Sequence, residues 1–464
     1  MSALRVCLLD CFAQDFEVRL MPIHRTTASG RTARLLGVGA RTLGRNLLKR
    51  LPGGDRVERQ ARYWAEIGED WANTLGELRG VAMKMGQMVA QYSDLFPPEF
   101  TDKLKRLQRD VEPLPFEELE PLLEQEWTVK QRARVVHIER RALAAASIGQ
   151  VHLATLDDGS TVVVKLRYPG VHEAVEADVS QLRRMLGLSR ILPVDSAAID
   201  AVLTEVRARF REETDYGNEL KNLLELRRQP HPGIVYPKPV RSLCGPGVLV
   251  MSEESGASLE TARGWDQALR DTLGTRLLAW LCRSIYQNHA LHADPHPGNF
   301  AFREDGRVVV YDFGCVKHLR AETVEELKRL LTQGLGGDWR GTHETLQRLG
   351  GIADGVPAAQ LETFYEELAE TIYVPVRDAA GFDFNDERYV PEIRACIRRN
   401  LGQSFKFRPI SELVFVTRAV SGVYWLLRGL GAQVCVADAL VAHGALAAVP
   451  ASSSGRARSR RSSR

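Results

Sequence analysis

His292-Ala293-Asp294-Pro295-His296-Pro297-Gly298-Asn299 is the stretch on which the fold turns. It places a carboxylate and an amide five residues apart on a loop stiffened by two prolines. Working outward, the apolar run Val308-Val309-Val310-Tyr311 leads into Asp312-Phe313-Gly314. On the N-terminal side, Val162-Val163-Val164 closes on Lys165, and Glu219 follows on a predicted helix. An isolated Asp-Phe-Gly is a weak signal. Four pieces in this order, each in the local structure it needs, are specific.

These are, in chain order, the parts of a kinase-type phosphoryl-transfer site. An ATP triphosphate carries several negative charges, and transfer requires their neutralisation and alignment. Lys165, on a strand, is placed to hold the α- and β-phosphates, with Glu219 orienting it through an ion pair. Asp312 and Asn299 offer hard oxygen ligands for Mg²⁺. Asp294 stands where a carboxylate orients, or takes a proton from, the attacking oxygen.

The chain has 464 residues and is 44% hydrophobic, enough for two or three domains with their own cores. A net charge of +3 says little about partners, although the basic residues gather at the ends. Seven cysteines are scattered at 7, 11, 244, 282, 315, 396 and 435 without a Cys-x-x-Cys motif, which fits reduced thiols and neither a disulfide frame nor a zinc site. The apolar stretch from Gly429 to Pro450 is broken by Gln433, Asp438 and His443, and Arg418 and Arg428 interrupt the stretch before it. No convincing transmembrane helix is expected. Asp10, Asp15 and Glu17 make residues 1–20 a poor secretory signal, and Met21 is an alternative start.

Residues 30–51 form a basic amphipathic stretch, with Leu36, Ala40, Leu43 and Leu47 opposite Arg34, Arg41 and Arg45. It suits either an anionic membrane surface or ordinary packing on the domain. Residues 61–95 read as a helix with a seam of Leu75, Leu78, Ala82, Met85, Val89 and Tyr92. Gly80, Lys84, Gln87 and Gln91 share another face, solvated by spacing alone. Strand content follows at Val135–Ile138, Gln150–Leu156, Thr161–Arg167, Val235–Val240 and Gly247–Glu253, with Asp157-Asp158-Gly159 as a hairpin turn. Ser252-Glu253-Glu254-Ser255-Gly256 is a predicted hinge, beyond which the chain is mainly helical. The Ser/Arg-rich tail from Ser452 is expected to be disordered.

The site departs from an ordinary kinase. Where a glycine-rich nucleotide loop belongs, this chain has Ala144-Ala145-Ala146-Ser147-Ile148-Gly149-Gln150. Helix is predicted from Glu322, soon after Asp312-Phe313-Gly314, with no Ala-Pro-Glu triplet and no evident peptide-docking segment. With Lys84-Met85-Gly86-Gln87, Glu213-Thr214-Asp215, Tyr168-Pro169-Gly170-Val171 and the 292–299 loop, the chain resembles the UbiB/AarF (ADCK) family of atypical protein-kinase-like proteins. The resemblance implies an α+β, two-lobed protein-kinase-like fold with an N-terminal helical extension. Its expected segments are a basic 1–60, a helical extension 61–131, an N-lobe 132–255, a helical C-lobe 256–450 and the tail 451–464. It implies that Lys165, Glu219 and Asp294 are catalytic and that Asn299 and Asp312 bind the metal. Ala144, Ala145, Ala146, Ser147 and Gly149 would line the nucleotide together with Lys165. Lys84 and Gln87 would reach over the site toward Glu213 and Asp215, turning the polar stripe into a functional face.

The function so implied is a Mg-ATP-dependent ATPase supporting isoprenoid-quinone (ubiquinone) biosynthesis or lipid handling. It would be cytoplasmic, peripheral to the inner face of a membrane, and without a specific nucleic-acid partner. Some bacterial members carry C-terminal transmembrane helices; here contact is expected to be peripheral, through residues 30–51. A Ser/Thr protein kinase and a nucleotide-gated binding protein without turnover are the alternatives that the same residues allow.

Overall fold

The computed structural model describes residues 56–78, 99, 102–103, 113–145, 148–171, 204, 214–404 and 406–447. Lys84, Gln87, Ala146, Ser147, Glu213, the 30–51 stretch and the tail lie outside the described residues.

Helix α1 (Arg56–Leu78) buries Tyr63, Trp64, Ile67 and Trp71, so its apolar seam begins well before the predicted Leu75. Helix α2 (Glu120–Glu126) follows and is tied to the sheet that comes after it. Glu126 accepts from Gly247 N at 2.9 Å, and Trp127 Nε1 donates to Leu243 O at 2.8 Å. Gln150 adds a two-way bond, accepting from Leu114 N at 2.8 Å and donating to Leu114 O at 3.0 Å.

The sheet is built around the valine run. Its strands are β1 (Val135–Ile138), β2 (Ala144–Ala145), β3 (Gly149–Leu156), β4 (Thr161–Arg167) and, beyond the short β5 (Ile234–Val235), β6 (Val248–Ser252). They pair antiparallel in the order β1-β3-β4-β6, with β2 also beside β3. The predicted turn joins β3 to β4: Gly159 takes φ +80°, a conformation open to glycine, and Asp158 accepts from Ser160 N at 2.9 Å. Alternation along β4 then sends Val162, Val164 and Leu166 to one face and Val163 and Lys165 to the other. Helix α3 (Tyr216–Arg228) covers this second face, packing Tyr216 and Leu223 into one core with Val163. Asp215 caps α3, accepting from Asn218 N at 3.2 Å, and Arg227 and Arg228 suit the negative end of its dipole.

The predicted strand at Val235–Val240 is shorter than expected. Only Ile234–Val235 forms a strand; Pro237 and Pro239 lack the N–H that a ladder needs, leaving one isolated bridge between Pro239 and Met251. After β6 the predicted hinge segment, residues 252–256, is held by polar contacts that explain its composition. Arg303 bonds the Glu254 carboxylate at 2.9 Å and Ser255 O at 2.8 Å, and Tyr311 Oη donates to Glu254 O at 2.6 Å.

The second half of the chain packs around helix α4 (Gln267–Tyr286), which buries Leu273, Leu277, Trp280, Leu281 and Ile285. Four short strands lie beside it: β7 (Ala290–His292), β8 (Phe300–Phe302), β9 (Val308–Val310) and β10 (Val316–His318). β8 pairs β9 and β7 pairs β10, both antiparallel. The 292–299 loop therefore joins β7 to β8, and Asp312 joins β9 to β10. Helices α5 (Ala321–Gly336), α6 (Trp339–Arg348), α7 (Glu362–Ile372) and α8 (Tyr389–Arg399) follow. A second, smaller core of Ile352, Leu361, Phe364 and Tyr365 lies among them. Helix α9 (Ser411–Leu430) returns to α4; β11 (Phe382–Asp383), which lies between α7 and α8, then pairs with β12 (Gln433–Val434) after α9, and α10 (Val436–Ala442) follows. Gly274 of α4 permits this packing, since a Cβ there would lie 2.7 Å from Ala432 Cβ. Among the described residues, α9 has the one segment long and apolar enough to cross a membrane. It is engaged in the core through Ala419, Val423, Leu426 and Leu430.

Candidate active site

Helix α3 presents Glu219 and, one turn later, Asn222 toward the β9–β10 connection. Both Glu219 carboxylate oxygens lie 2.8 Å from Lys165 Nζ, and Glu219 is 2% exposed. Lys165 Nζ also reaches Asp312 Oδ2 at 3.3 Å and stands 5.2 Å from the centre of the Tyr216 ring. The same helix holds the backbone of Asp312-Phe313-Gly314. Phe313 N donates to Glu219 Oε1 at 3.4 Å, and Phe313 O accepts from Asn222 Nδ2 at 2.8 Å. Phe313 itself is fully buried, edge-on to Tyr236. One helix thus fixes both Lys165 and the backbone around Asp312.

The charges reinforce one another. Burial alone would lower the Lys165 pKa, but Asp312 and Glu219 reverse this and hold it well above its usual value. Burial also opposes ionisation of Asp312, yet Lys165 and the N–H of Gly314, which donates at 2.8 Å, hold its carboxyl down at about 2. Glu219 is the strained partner: its burial outweighs the lysine and raises its pKa.

The catalytic loop is tied to Asp312 by His292. The buried ring donates through Nε2 to Asp312 O at 2.7 Å and accepts at Nδ1 from Asp294 N at 3.4 Å. His296 instead closes the next turn, accepting from Gly298 N at 3.2 Å. Among the described residues no group of three His, Cys, Asp or Glu side chains is arranged to hold a metal. Both ring nitrogens of His292 are engaged by these bonds, which hold the loop against the Asp312 backbone, while His296 bonds within its own turn. Asn299 Nδ2 donates to Asp294 O at 3.1 Å, and Tyr311 N donates to Asn299 O at 3.0 Å. The Asn299 amide nitrogen is engaged, which turns its oxygen to the other side, and Asp312 remains 39% exposed. An amide oxygen and an ionised carboxylate are hard donors that fit Mg²⁺, which completes its shell with water and phosphate oxygens.

The alanine-rich segment begins as strand. Ala144 and Ala145 form β2 against Val151 and Gln150. Gly149 is required here for close packing, not for backbone freedom: a Cβ would lie 2.5 Å from both Leu166 O and Tyr216 Oη. Asp215 is described as the cap of α3; Lys84, Gln87 and Glu213, its expected companions, lie outside the described residues.

Three neighbours of the site escaped the sequence reading. Asn222 was findable, lying one helical turn from Glu219. Tyr216 shares that helix and faces Lys165. Arg418, in α9, donates to Asp294 Oδ1 at 2.7 Å. In the sequence it is only a charge interrupting an apolar run.

A family model for the ABC1 atypical kinase-like domain matches residues 106–346, more than half of the chain. The chain belongs to this family. The expected α+β kinase-like fold and the resemblance to the UbiB/AarF group both hold. Atypical kinase COQ8, mitochondrial, of Saccharomyces cerevisiae is 26% identical over 371 residues, covering 78% of this chain and 73% of that protein. Atypical kinase COQ8B, mitochondrial, of Rattus norvegicus is 27% identical over 436 residues, covering 92% and 81%. The probable serine/threonine-protein kinase abkA of Dictyostelium discoideum is 25% identical, covering 84% and 73%. Among solved structures, Rv3197 of Mycobacterium tuberculosis in complex with erythromycin superposes with a TM-score of 0.56 at 26% identity, covering 83% of this chain and 98% of that one. The chain is a UbiB-type atypical kinase. The ABC1 match ends within α6, before α9.

Proposed function

We propose that this ABC1 protein hydrolyses Mg-ATP and that the hydrolysis serves isoprenoid-quinone (ubiquinone) biosynthesis or lipid handling at a membrane surface. The carrying observation is the Lys165–Glu219–Asp312 cluster, in which one lysine is held by two carboxylates from different parts of the chain. Lys165 binds the α- and β-phosphates, and Glu219 keeps its ammonium in place. Asn299 and Asp312 would hold Mg²⁺, which supplies charge neutralisation across the phosphates. Asp294 orients the attacking water. The water oxygen bonds to the γ-phosphorus as the bond to the ADP oxygen breaks, giving ADP, phosphate and a proton.

The short link after Asp312-Phe313-Gly314 favours water over a peptide acceptor. The chain enters β10 at Val316 and α5 at Ala321, leaving little room for a peptide platform. The quinone connection rests on the family resemblance and the COQ8 relatives. Protein phosphorylation is the second reading, favoured by the abkA relative.

The test is phosphate release from Mg-ATP by purified protein, with and without anionic liposomes. Asp312→Asn is expected to lower turnover by about a hundredfold or more, and liposomes to raise the wild-type rate. Asp312→Asn turning over like wild type overturns the site assignment. Phosphate appearing on a partner protein, and lost in Asp294→Asn, would establish the second reading instead.

A further inference from the structure

Helix α9 lies outside the ABC1 match, yet one stripe of it runs along the catalytic segments. Glu412 pairs with Arg320, Phe415 lies under Lys317 Nζ at 5.1 Å, and Arg418 donates to Asp294 at 2.7 Å. Gly422 then meets Pro295: a Cβ there would lie 2.4 Å from Pro295 Cγ and 2.6 Å from Pro295 O. Steps of three, three and four place these four residues on one helical face. The face contacts, in turn, the segment after Asp312-Phe313-Gly314, the Asp294 carboxylate and the proline that follows it. Val416, Ala419 and Val423, on the adjoining face, anchor the helix in the core.

From this geometry we infer that α9 is a splint for the catalytic loop and that Arg418 is the positioning residue for Asp294. The inference rests on the phosphoryl-transfer reading of the site and deepens it. A carboxylate on a turn can rotate about its side-chain bonds, and the loop prolines fix only the backbone. Asp294 is 43% exposed, so packing does not hold it. A guanidinium on Oδ1 restrains that oxygen and leaves Oδ2 to meet the attacking oxygen. Arginine suits this task because its donors sit in a rigid planar fork. The close approach at Gly422 sets the distance from helix to loop, so that the arginine arrives in register. In this fold α9 supplies the support that the short segment after Gly314 does not extend far enough to give.

The experiment is a cycle of Arg418→Ala, Arg418→Lys, Gly422→Ala and Asp294→Asn, with Thr417→Ala, exposed on the far side of α9, as control. Arg418→Ala is expected to lower kcat for phosphate release by about ten- to a hundredfold while KM for Mg-ATP stays within about twofold. Arg418→Lys should recover part of the loss, and Gly422→Ala should reproduce it by displacing the helix. In the Asp294→Asn background, Arg418→Ala should change the rate by less than about twofold, because its target is already altered. Thr417→Ala should match wild type. Unchanged or raised kcat in Arg418→Ala, weakened Mg-ATP binding with kcat intact, or effects that multiply in the double variant overturn the inference. If Arg418→Ala does not fold, Arg418→Gln, which keeps a donor, takes its place. The wild-type rate alone tests hydrolysis, and the ratios test the clamp. Melting curves of the same cycle without nucleotide read the Arg418–Asp294 coupling independently of turnover; additive shifts there also count against it.

Discussion

Among the described residues Lys165 is the side chain that pairs with both Glu219 and Asp312, and the pH behaviour of the site follows from that. With the lysine present, Asp312 ionises at about 2, so its contribution to stability is present above the ordinary carboxylate range and is lost as pH falls toward 2. Lys165→Met removes the cation that pairs with both carboxylates. Their folded-state pKa values then rise above the unfolded ones, the folded state binds more protons, and stability grows as pH falls. The melting temperature of Lys165→Met is therefore expected to lie further below wild type at pH 8 than at pH 5, by several degrees. An equal gap at both values would mean that the pair is not electrostatically coupled. At this scale the sequence was informative because chemistry restricts the choice. Lys165, Glu219, Asp294, Asn299 and Asp312 are residue types that phosphoryl transfer requires, in a required order. Arg418 was illegible because its partner lies 124 residues away and nothing local marks an arginine in an apolar helix as a ligand for a loop.

Elements carry a second kind of information. The β3–β4 hairpin and the strand bearing Lys165 were legible because period-two alternation and an Asp-Gly turn are local signals. β10 was not, since three residues carry too little pattern. The sequence places Gly149 in the alanine-rich segment but gives no sign that its neighbour is Tyr216, contributed by a separate helix. Asp215 poses a test at this level. Its side chain caps α3, the helix that delivers Glu219, Asn222 and Tyr216 to the site. Asp215→Ala should cost about 1 kcal/mol of stability and displace Glu219, whereas Asp215→Asn preserves the cap and should melt like wild type. Should Asp215→Asn instead change Mg-ATP affinity at unchanged melting temperature, the residue acts through its charge, as its place in the Glu213-Thr214-Asp215 motif implies. Thermal melts and nucleotide titrations of the two variants separate these outcomes.

At the scale of the molecule, the site spans both halves of the chain. Lys165 and Glu219 belong to the sheet side, Asp294, Asn299 and Asp312 to the helical side, and the hinge is fastened by Arg303 to Glu254 and Ser255. A ligand that bridges the halves stabilises the whole by mass action, by about 2.7 kcal/mol at a hundredfold excess over Kd. Mg-ATP is thus expected to raise the melting temperature by roughly 5 °C, as a single transition. Chelating Mg²⁺ should shrink that rise to the level seen in Asp312→Asn. A rise that EDTA leaves intact would remove Mg²⁺ from the assignment of Asn299 and Asp312.

The distance between Asp294 and Arg418 along the chain also has a temporal meaning. Protein synthesis runs from the N-terminus, and Lys165, the 292–299 loop and Asp312 all leave the ribosome well before α9. Until α9 emerges, α4 lacks the cover that meets Gly274, and Asp294 has no guanidinium beside it. A nascent chain can therefore hold every residue of the motif set and still lack an ordered carboxylate at Asp294. Order at Asp294 arrives with α9, not with completion of the motifs.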